Sequence, residues 1–247
     1  MSTIKKFGVA ALLLILGLFF IASANGGGRK QRPLTRAEIK QVESWLAEMG
    51  YKPGRVDGVI DRDTRSALVL FQKWENRRAT GQLSRKEFDA IMSAAAPEAR
   101  DSGYRHVEVD LDRQLLLLTD DDGRVIRILP VSTGSNKHYD EKGMRGLAYT
   151  PTGRFRIYAK ISGWRKSPLG LLYYPNYFSD GLAIHGNPSV PDSPESHGCI
   201  RIPMSAAVEI SKALPVGTIL LIYDSQSFVS AKDWAEADKQ KGQAVIR

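Results

Sequence analysis

Cysteine is almost missing from this chain: Cys199 is the only one in 247 residues. One thiol can form neither an internal disulfide nor a Cys-rich metal site. Histidine is scarce too, with four in the chain. The leucine-rich apolar run from Phe7 to Ala22 falls short of the roughly 20 residues that a membrane span needs. No cysteine lies near its end, which excludes a lipoprotein anchor. The acidic cluster Asp120 to Asp122 lacks further ligands at EF-hand spacing and reads as a solvated hairpin turn.

What is present begins with an export pattern. Lys5 and Lys6 precede the apolar run, and Ala22-Ser23-Ala24 supplies the small residues of a cleavage site. Residues 1–24 therefore read as a signal peptide, or, if uncleaved, as an N-terminal anchor through residues 7–22. The mature chain is expected in the periplasm or cell envelope. Formal net charge is +8, and removal of Lys5 and Lys6 lowers it by two. Basic exported proteins are drawn to anionic envelope polymers and lipids. Export and the scatter of the basic residues argue against nucleic acid as partner.

The periodicity changes along the chain. Residues 25–33 are Gly- and Arg-rich and form a linker. Thr35 to Glu38 has the form of a capping box, followed by Ile39, Val42, Leu46 and Met49 on one helical face. A second helix is expected near Asp61, carrying Ala67, Leu68, Phe71 and Trp74. A third follows a second box at Ser84 to Glu87 and carries Phe88 and Ile91. Residues 34–96 thus predict a small three-helix bundle, too small for a deep cavity. Residues 97–103 form a second joint. From residue 104 to 224 the pattern is mostly β: Val107, Val109 and Leu111 alternate with polar neighbours, and strands are expected at 114–118, 125–131, 153–160, 182–185 and 218–223. A helix is expected at 205–214, and 225–247 is a charged tail.

Gly50-Tyr51, Pro53-Gly54, Val56-Asp57-Gly58, Thr64, Ala67, Phe71-Gln72 and Gly81-Gln82-Leu83 together resemble the peptidoglycan-binding domain of cell-wall enzymes. Taken singly, most of these residues are explained by structure: glycines for turns, Phe71 for core. The fold suggests wall binding only by analogy.

Downstream, Ala183-Ile184-His185-Gly186 followed by Ser196-His197-Gly198-Cys199-Ile200-Arg201 is similar to the signature of L,D-transpeptidases. Thr150 to Phe155 and Asp112 to Leu115 resemble further landmarks of that domain. The residue types suit the chemistry. A thiol with a pKa near 8.5 is only a few per cent thiolate at pH 7 and needs a neighbouring base. His185, at a strand end, and His197, two residues before the cysteine, are both placed to converge on the sulfur.

The resemblance implies roles. Cys199 is the nucleophile and His185 the general base, its other ring nitrogen oriented by a backbone carbonyl near Gly186. The amides of His197, Gly198 and Cys199 form an oxyanion hole, each donor worth roughly 3–4 kcal/mol. Ser196 is expected to position the histidines by hydrogen bonding. Arg201 is assigned to orienting the site loop or a substrate carboxylate. Trp164, Tyr173, Tyr174, Tyr177 and Phe178 suggest an aromatic flap, although core packing explains many of them. His106 and His138 are expected to be structural or exposed. A zinc site from His185, His197 and Cys199 is chemically conceivable, but the resemblance implies no metal and no cofactor.

The implied activity is acyl transfer between peptidoglycan stem peptides. A thioester forms with the third residue of a donor tetrapeptide, D-alanine leaves, and an amine on another stem or on a wall-attached protein accepts the acyl group. The alternatives are an L,D-carboxypeptidase, with water as acceptor, and an inactive wall-binding protein.

Overall fold

The structure, a computed structural model, describes residues 32–227. The export signal and anchor expected within 1–24, residues 25–31 of the first linker and the tail beyond residue 227 lie outside the described residues. Among the described residues no helix is long and apolar enough to cross a membrane.

Helix α1 (Arg36–Glu48) starts at Thr35, whose hydroxyl accepts from the Glu38 amide at 3.2 Å while Glu38 accepts from the Thr35 amide at 2.8 Å. Both arms of the expected capping box are made. Helix α2 (Arg62–Trp74) is capped by the Asp61 carboxylate on the Thr64 amide. Helix α3 (Arg85–Ser93) has the Ser84 hydroxyl on the Glu87 amide, but the Glu87 carboxylate turns to Arg77 instead of reaching back. The buried carboxylate of Glu43 on α1 takes the Asp57 and Gly58 amides at 2.9 and 2.8 Å, pinning the loop between α1 and α2.

The rest of the chain is β1 (His106–Asp110), β2 (Leu115–Thr119), β3 (Val125–Pro130), β4 (His138–Glu141), β5 (Met144–Leu147), β6 (Gly153–Arg156) and β7 (Ala159–Lys160). It continues with β8 (Trp164–Ser167), β9 (Gly170–Ser179), β10 (Leu182–Asn187), β11 (Ile200–Pro203), α4 (Met204–Ala213) and β12 (Ile219–Tyr223). One sheet runs β3-β2-β1-β12-β6, with β1 and β12 parallel. The other runs β11-β10-β9-β7, with β10 and β11 parallel and β8 paired to β9. The single strand expected over 153–160 is in fact two, because the chain changes sheets at the buried Ile157. Its amide bonds Thr218, and the next amide bonds Tyr177 of the other sheet.

Two apolar clusters organise these elements. Val109, Ile184, Ile200, Ile210 and Leu220 belong to a cluster between the two sheets and α4. The other joins Leu46, Leu68, Phe71 and Ile91 of the three helices to Leu115, Leu117 and Ile128 of the first sheet. Strand β2 divides its leucines between them: Leu116 and Leu118 face the inter-sheet core, Leu115 and Leu117 the helices. A strand buried on both faces reads as a continuous apolar run rather than an alternation. Contact is also direct through the backbone, where Ile128 donates its amide to the Gly50 carbonyl at 2.9 Å. Gly50 has φ +89°, and a Cβ there would lie 3.2 Å from the Arg127 nitrogen. Glycine therefore both ends the turn after α1 and lets the helices reach β3. Helices and sheets fall in one compact unit.

The stretch 97–103, expected to be a joint, is laid along the outer face of β1. Buried Glu108 accepts the Arg100 and Asp101 amides at 2.8 and 3.0 Å, and it also takes the Tyr223 hydroxyl and His106 Nε2. His106 is fully buried, whereas His138 sits on the exposed strand β4.

Candidate active site

Strands β10 and β11 lie side by side with His185 opposite Arg201 in the register. Parallel neighbours need a crossover of about a dozen residues. Here that crossover is the segment between them, which ends in Ser196-His197-Gly198-Cys199. The sheet thus delivers His185 and Arg201 from adjacent strands, and the connection delivers the thiol into the cleft that both line.

His185 is only 5% exposed, and its Nδ1 lies 3.0 Å from the Gly186 carbonyl oxygen. A carbonyl can only accept, so Nδ1 carries the proton and Nε2 keeps its lone pair. Burial pushes the imidazole down to about 4; the Gly186 bond opposes that fall and the Arg201 charge adds to it. At neutral pH the ring is an uncharged base. Cys199 is half-buried, and burial raises its thiol above the ordinary range, against the Ala183 backbone and Arg201, which lower it. The pair is thus thiol and neutral imidazole, not thiolate and imidazolium.

The turn carrying the thiol is clamped from several sides. Ser196 Oγ donates to the Cys199 carbonyl at 2.6 Å and accepts from the Gly198 amide at 3.0 Å. Thr150 Oγ1 donates to the Gly198 carbonyl at 2.7 Å and accepts from the Gly134 amide at 2.8 Å. Gly198 has φ +132°, and a Cβ there would stand 2.7 Å from the Tyr149 carbonyl oxygen, so no side chain fits. Backbone bonds between Ser132 and Arg201, and from Ser196 to Thr133, dock the turn on the chain that follows β3.

Two polar groups of the turn are already engaged in this structure. Ser196 orients neither histidine; its hydroxyl is taken by the backbone of its own turn. The Gly198 amide, expected to face an oxyanion, is engaged by that hydroxyl. Gly186 contributes its carbonyl, which orients His185.

The thiol opens into a cleft of about 650 Å³ lined by Cys199, His185, His197 and Arg201, together with two hairpins. The β8–β9 hairpin supplies Arg165 to Leu172. Of the aromatic residues expected in a flap, Tyr177 lines the cleft and Trp164, 52% exposed, meets Tyr173 at a tilt, ring centres 4.8 Å apart. Phe178 is core, and Tyr174 packs against it.

The β4–β5 hairpin, which supplies Tyr139 and Met144, has no counterpart in the expected elements. It meets His197 directly: the Tyr139 ring stands edge-on at 4.8 Å, and Glu141 Oε2 is 3.5 Å from His197 Nε2. His197 is 26% exposed and belongs as much to this hairpin as to the thiol. The signal for the hairpin is Lys142-Gly143, where φ is +51° and +76°, as the tight turn between paired strands demands. Among the described residues no three His, Cys, Asp or Glu side chains are gathered as a metal site.

The sequence profile of the L,D-transpeptidase catalytic domain matches residues 104–222, and that of a peptidoglycan binding domain matches residues 35–91. Among solved structures, the L,D-transpeptidase from Xylanimonas cellulosilytica is 36% identical; the alignment covers 78% of this chain and 96% of that one, with a TM-score of 0.69. An L,D-transpeptidase from Stackebrandtia nassauensis is 23% identical over 75% of this chain and 90% of its own, with a TM-score of 0.44. One from Mycobacterium smegmatis is 22% identical over 48% of this chain and 58% of its own, with a TM-score of 0.39. No curated protein matches the chain.

Proposed function

The chain belongs to the L,D-transpeptidase family, and we propose that it is a cell-envelope acyltransferase that works on peptidoglycan stem peptides through Cys199. In this reading His185 Nε2 takes the thiol proton as the sulfur attacks the carbonyl of the third residue of a donor tetrapeptide. Charge then develops on the carbonyl oxygen. The donors left to meet it are the amides of His197 and Cys199, since the Gly198 amide is engaged by Ser196. As the intermediate collapses, the bond to the terminal D-alanine breaks and His185 returns the proton to the departing amine. An amine of a second stem, or of a wall-attached protein, next attacks the thioester. His185 removes the amine proton, the C–S bond breaks and the thiol is restored. With a stem as acceptor the product is a 3-to-3 cross-link. No cofactor enters the scheme.

One observation carries this reading: the bond from His185 Nδ1 to the Gly186 carbonyl, which presents a lone pair at Nε2 without an acidic third member. The neutral thiol–imidazole pair means that nucleophile and base are activated together, on substrate binding. Export through residues 1–24, whether cleaved or retained as an anchor through 7–22, and wall association through the helices belong to the same reading.

The test is intact-mass analysis of the chain from residue 25 onward, incubated with disaccharide-tetrapeptides. An acyl adduct on Cys199, release of D-alanine and cross-linked dimers are expected. Tripeptides without dimers move the assignment to an L,D-carboxypeptidase. A folded protein giving neither adduct nor product leaves a non-catalytic wall-binding protein.

A further inference from the structure

The β4–β5 hairpin carries two neighbouring carboxylates with different fates. Residues directly opposite in an antiparallel pair share a face, as do residues two apart along a strand. Asp140 lies opposite Arg145, and Glu141 opposite Met144. Asp140 and Arg145 pair with each other at 2.9 Å, and both side chains are exposed. Glu141 shares the other face with Tyr139 and Met144, and those two line the cleft. That face meets His197: the Tyr139 ring stands edge-on to the imidazole, and Glu141 Oε2 is 3.5 Å from Nε2. The hairpin thus gives the cleft a second imidazole, this one backed by a carboxylate, whereas His185 is oriented by a backbone carbonyl. A carboxylate beside an imidazole favours its charged form. With Nε2 turned to Glu141, Nδ1 is the nitrogen left to take up a proton. The remaining charged groups of the lining are Arg165, Lys166, Arg201 and Asp180, so a cationic substrate meets mostly like charge away from the hairpin.

Acyl transfer to an amine has a proton that His185 does not account for. An alkylamine is an ammonium at neutral pH, with a pKa of about 10, and has no lone pair to attack with. His185 can take the proton lost as the C–N bond forms, but another base must first take one from the ammonium. We propose that His197, held by Glu141, is that base, a second catalytic histidine serving the acceptor amine. The assignment rests on the transpeptidase reading and adds the acceptor step to it. His197 Nδ1 takes one proton from the ammonium, and Glu141 holds the imidazolium. The freed amine attacks the thioester carbonyl, the C–S bond breaks, and the second proton passes through His185 to the sulfur. The proton on His197 then leaves to water, since the ring is 26% exposed and the carboxylate 55%. Ammonium and thioester thus give amide, thiol and one released proton. Glu141 is a positioning residue in this step, acting through the imidazole.

The experiment measures how the thioester partitions, as the ratio of cross-linked dimers to free tripeptides formed from disaccharide-tetrapeptides. A change in acylation rate leaves that ratio untouched. Glu141→Gln is expected to lower it about tenfold against wild type at pH 7, while Glu141→Asp keeps part of it. The deficit should close as pH rises towards about 10, where the amine loses its proton unaided, and a merely structural defect would not be rescued in that way. Melting curves check that both variants are folded. An undiminished ratio in Glu141→Gln, or a deficit of the same size at every pH, overturns the second base and leaves the transpeptidase reading standing. Wild-type protein that forms the Cys199 adduct but releases only tripeptides overturns the second base and moves the chain to a carboxypeptidase. No adduct at all overturns both.

Discussion

Strand β2 has two faces, and the chain treats them differently. Leu115 and Leu117 lie against helices, in a contact that is apolar and closed. Leu116 and Leu118 lie in the core beneath the site, whose working parts are held by polar clamps on backbone atoms: Ser196 on Cys199, Thr150 on Gly198, Gly186 on His185. The outer face is closed by area alone; on the inner side an apolar core carries a site fixed by hydrogen bonds at set distances. Area tolerates small displacement; a proton transfer over about 3 Å does not. Damage on the outer face should therefore lower stability first, and damage near the thiol should lower rate first.

The sharpest separation comes from Cys199→Ala and His185→Ala. Each is expected to lower D-alanine release by three orders of magnitude or more, with the melting temperature moved by only a few degrees. A fully active Cys199→Ala protein ends the comparison. Next in size is Leu117→Ala, expected to cost about 2–5 kcal/mol in denaturant unfolding, as Leu116→Ala should, although the two leucines face different neighbours. Two separate unfolding transitions, or a neutral Leu117→Ala, would mean that helices and sheet do not share a core. Thr150→Val keeps shape but removes the hydroxyl between Gly198 and Gly134. It should reduce kcat about ten- to hundredfold by loosening the turn, with a stability loss of about 1–3 kcal/mol.

The two buried histidines sharpen the contrast through opposite signs. His185 is held below its ordinary value, so the folded chain declines a proton that the unfolded chain accepts. Its contribution to stability is present above about pH 6.5 and lost as pH falls towards about 4. The acid limb of kcat/KM should fall near the same value of about 4, and a limb near pH 6.5 would contradict a buried base. For His106 burial acts downward, but the Glu108 and Tyr104 partners outweigh it and the net shift is upward. Its contribution is present below about pH 6.5 and lost as pH rises through the raised folded value. Melting temperature against pH for His106→Gln and His185→Gln should therefore depart from wild type on opposite sides of that point.

The smallest effect belongs to an ion pair between α2 and the connection that follows β10. Lys73 of α2, 10% exposed, reaches Asp192 at 2.7 Å in the connection between β10 and β11, and Asp192 is 73% exposed. Lys73→Ala should cost no more than about 1 kcal/mol and slow turnover by no more than a few-fold.

Much of this was legible in the chain. Thr35 and Asp61 mark helix starts because a cap is a local event, made within three residues. His185, Gly198 and Cys199 stand out because chemistry and backbone strain restrict the residue types allowed. The hydrogen bonds of Ser196 were not legible: a hydroxyl beside two histidines gives no sign that the nearby backbone will claim it. Nor was the partner of Thr150, which lies 48 positions away. Leu115 to Leu118 did carry a signal. Four leucines in a row cannot be a strand with one wet face, so a second layer had to cover Leu115 and Leu117. Three amphipathic helices upstream were the available cover.

That cover has a spatial consequence. A module on a slack tether searches a sphere, and its partner site meets targets at an effective concentration set by the tether's length. Here the tether has been replaced by a leucine seam, so whatever the helices grip is held at one bearing and one range from the sulfur. Under the proposed function, such a seam would make the protein a caliper, sorting substrates by where they sit as well as by what they are.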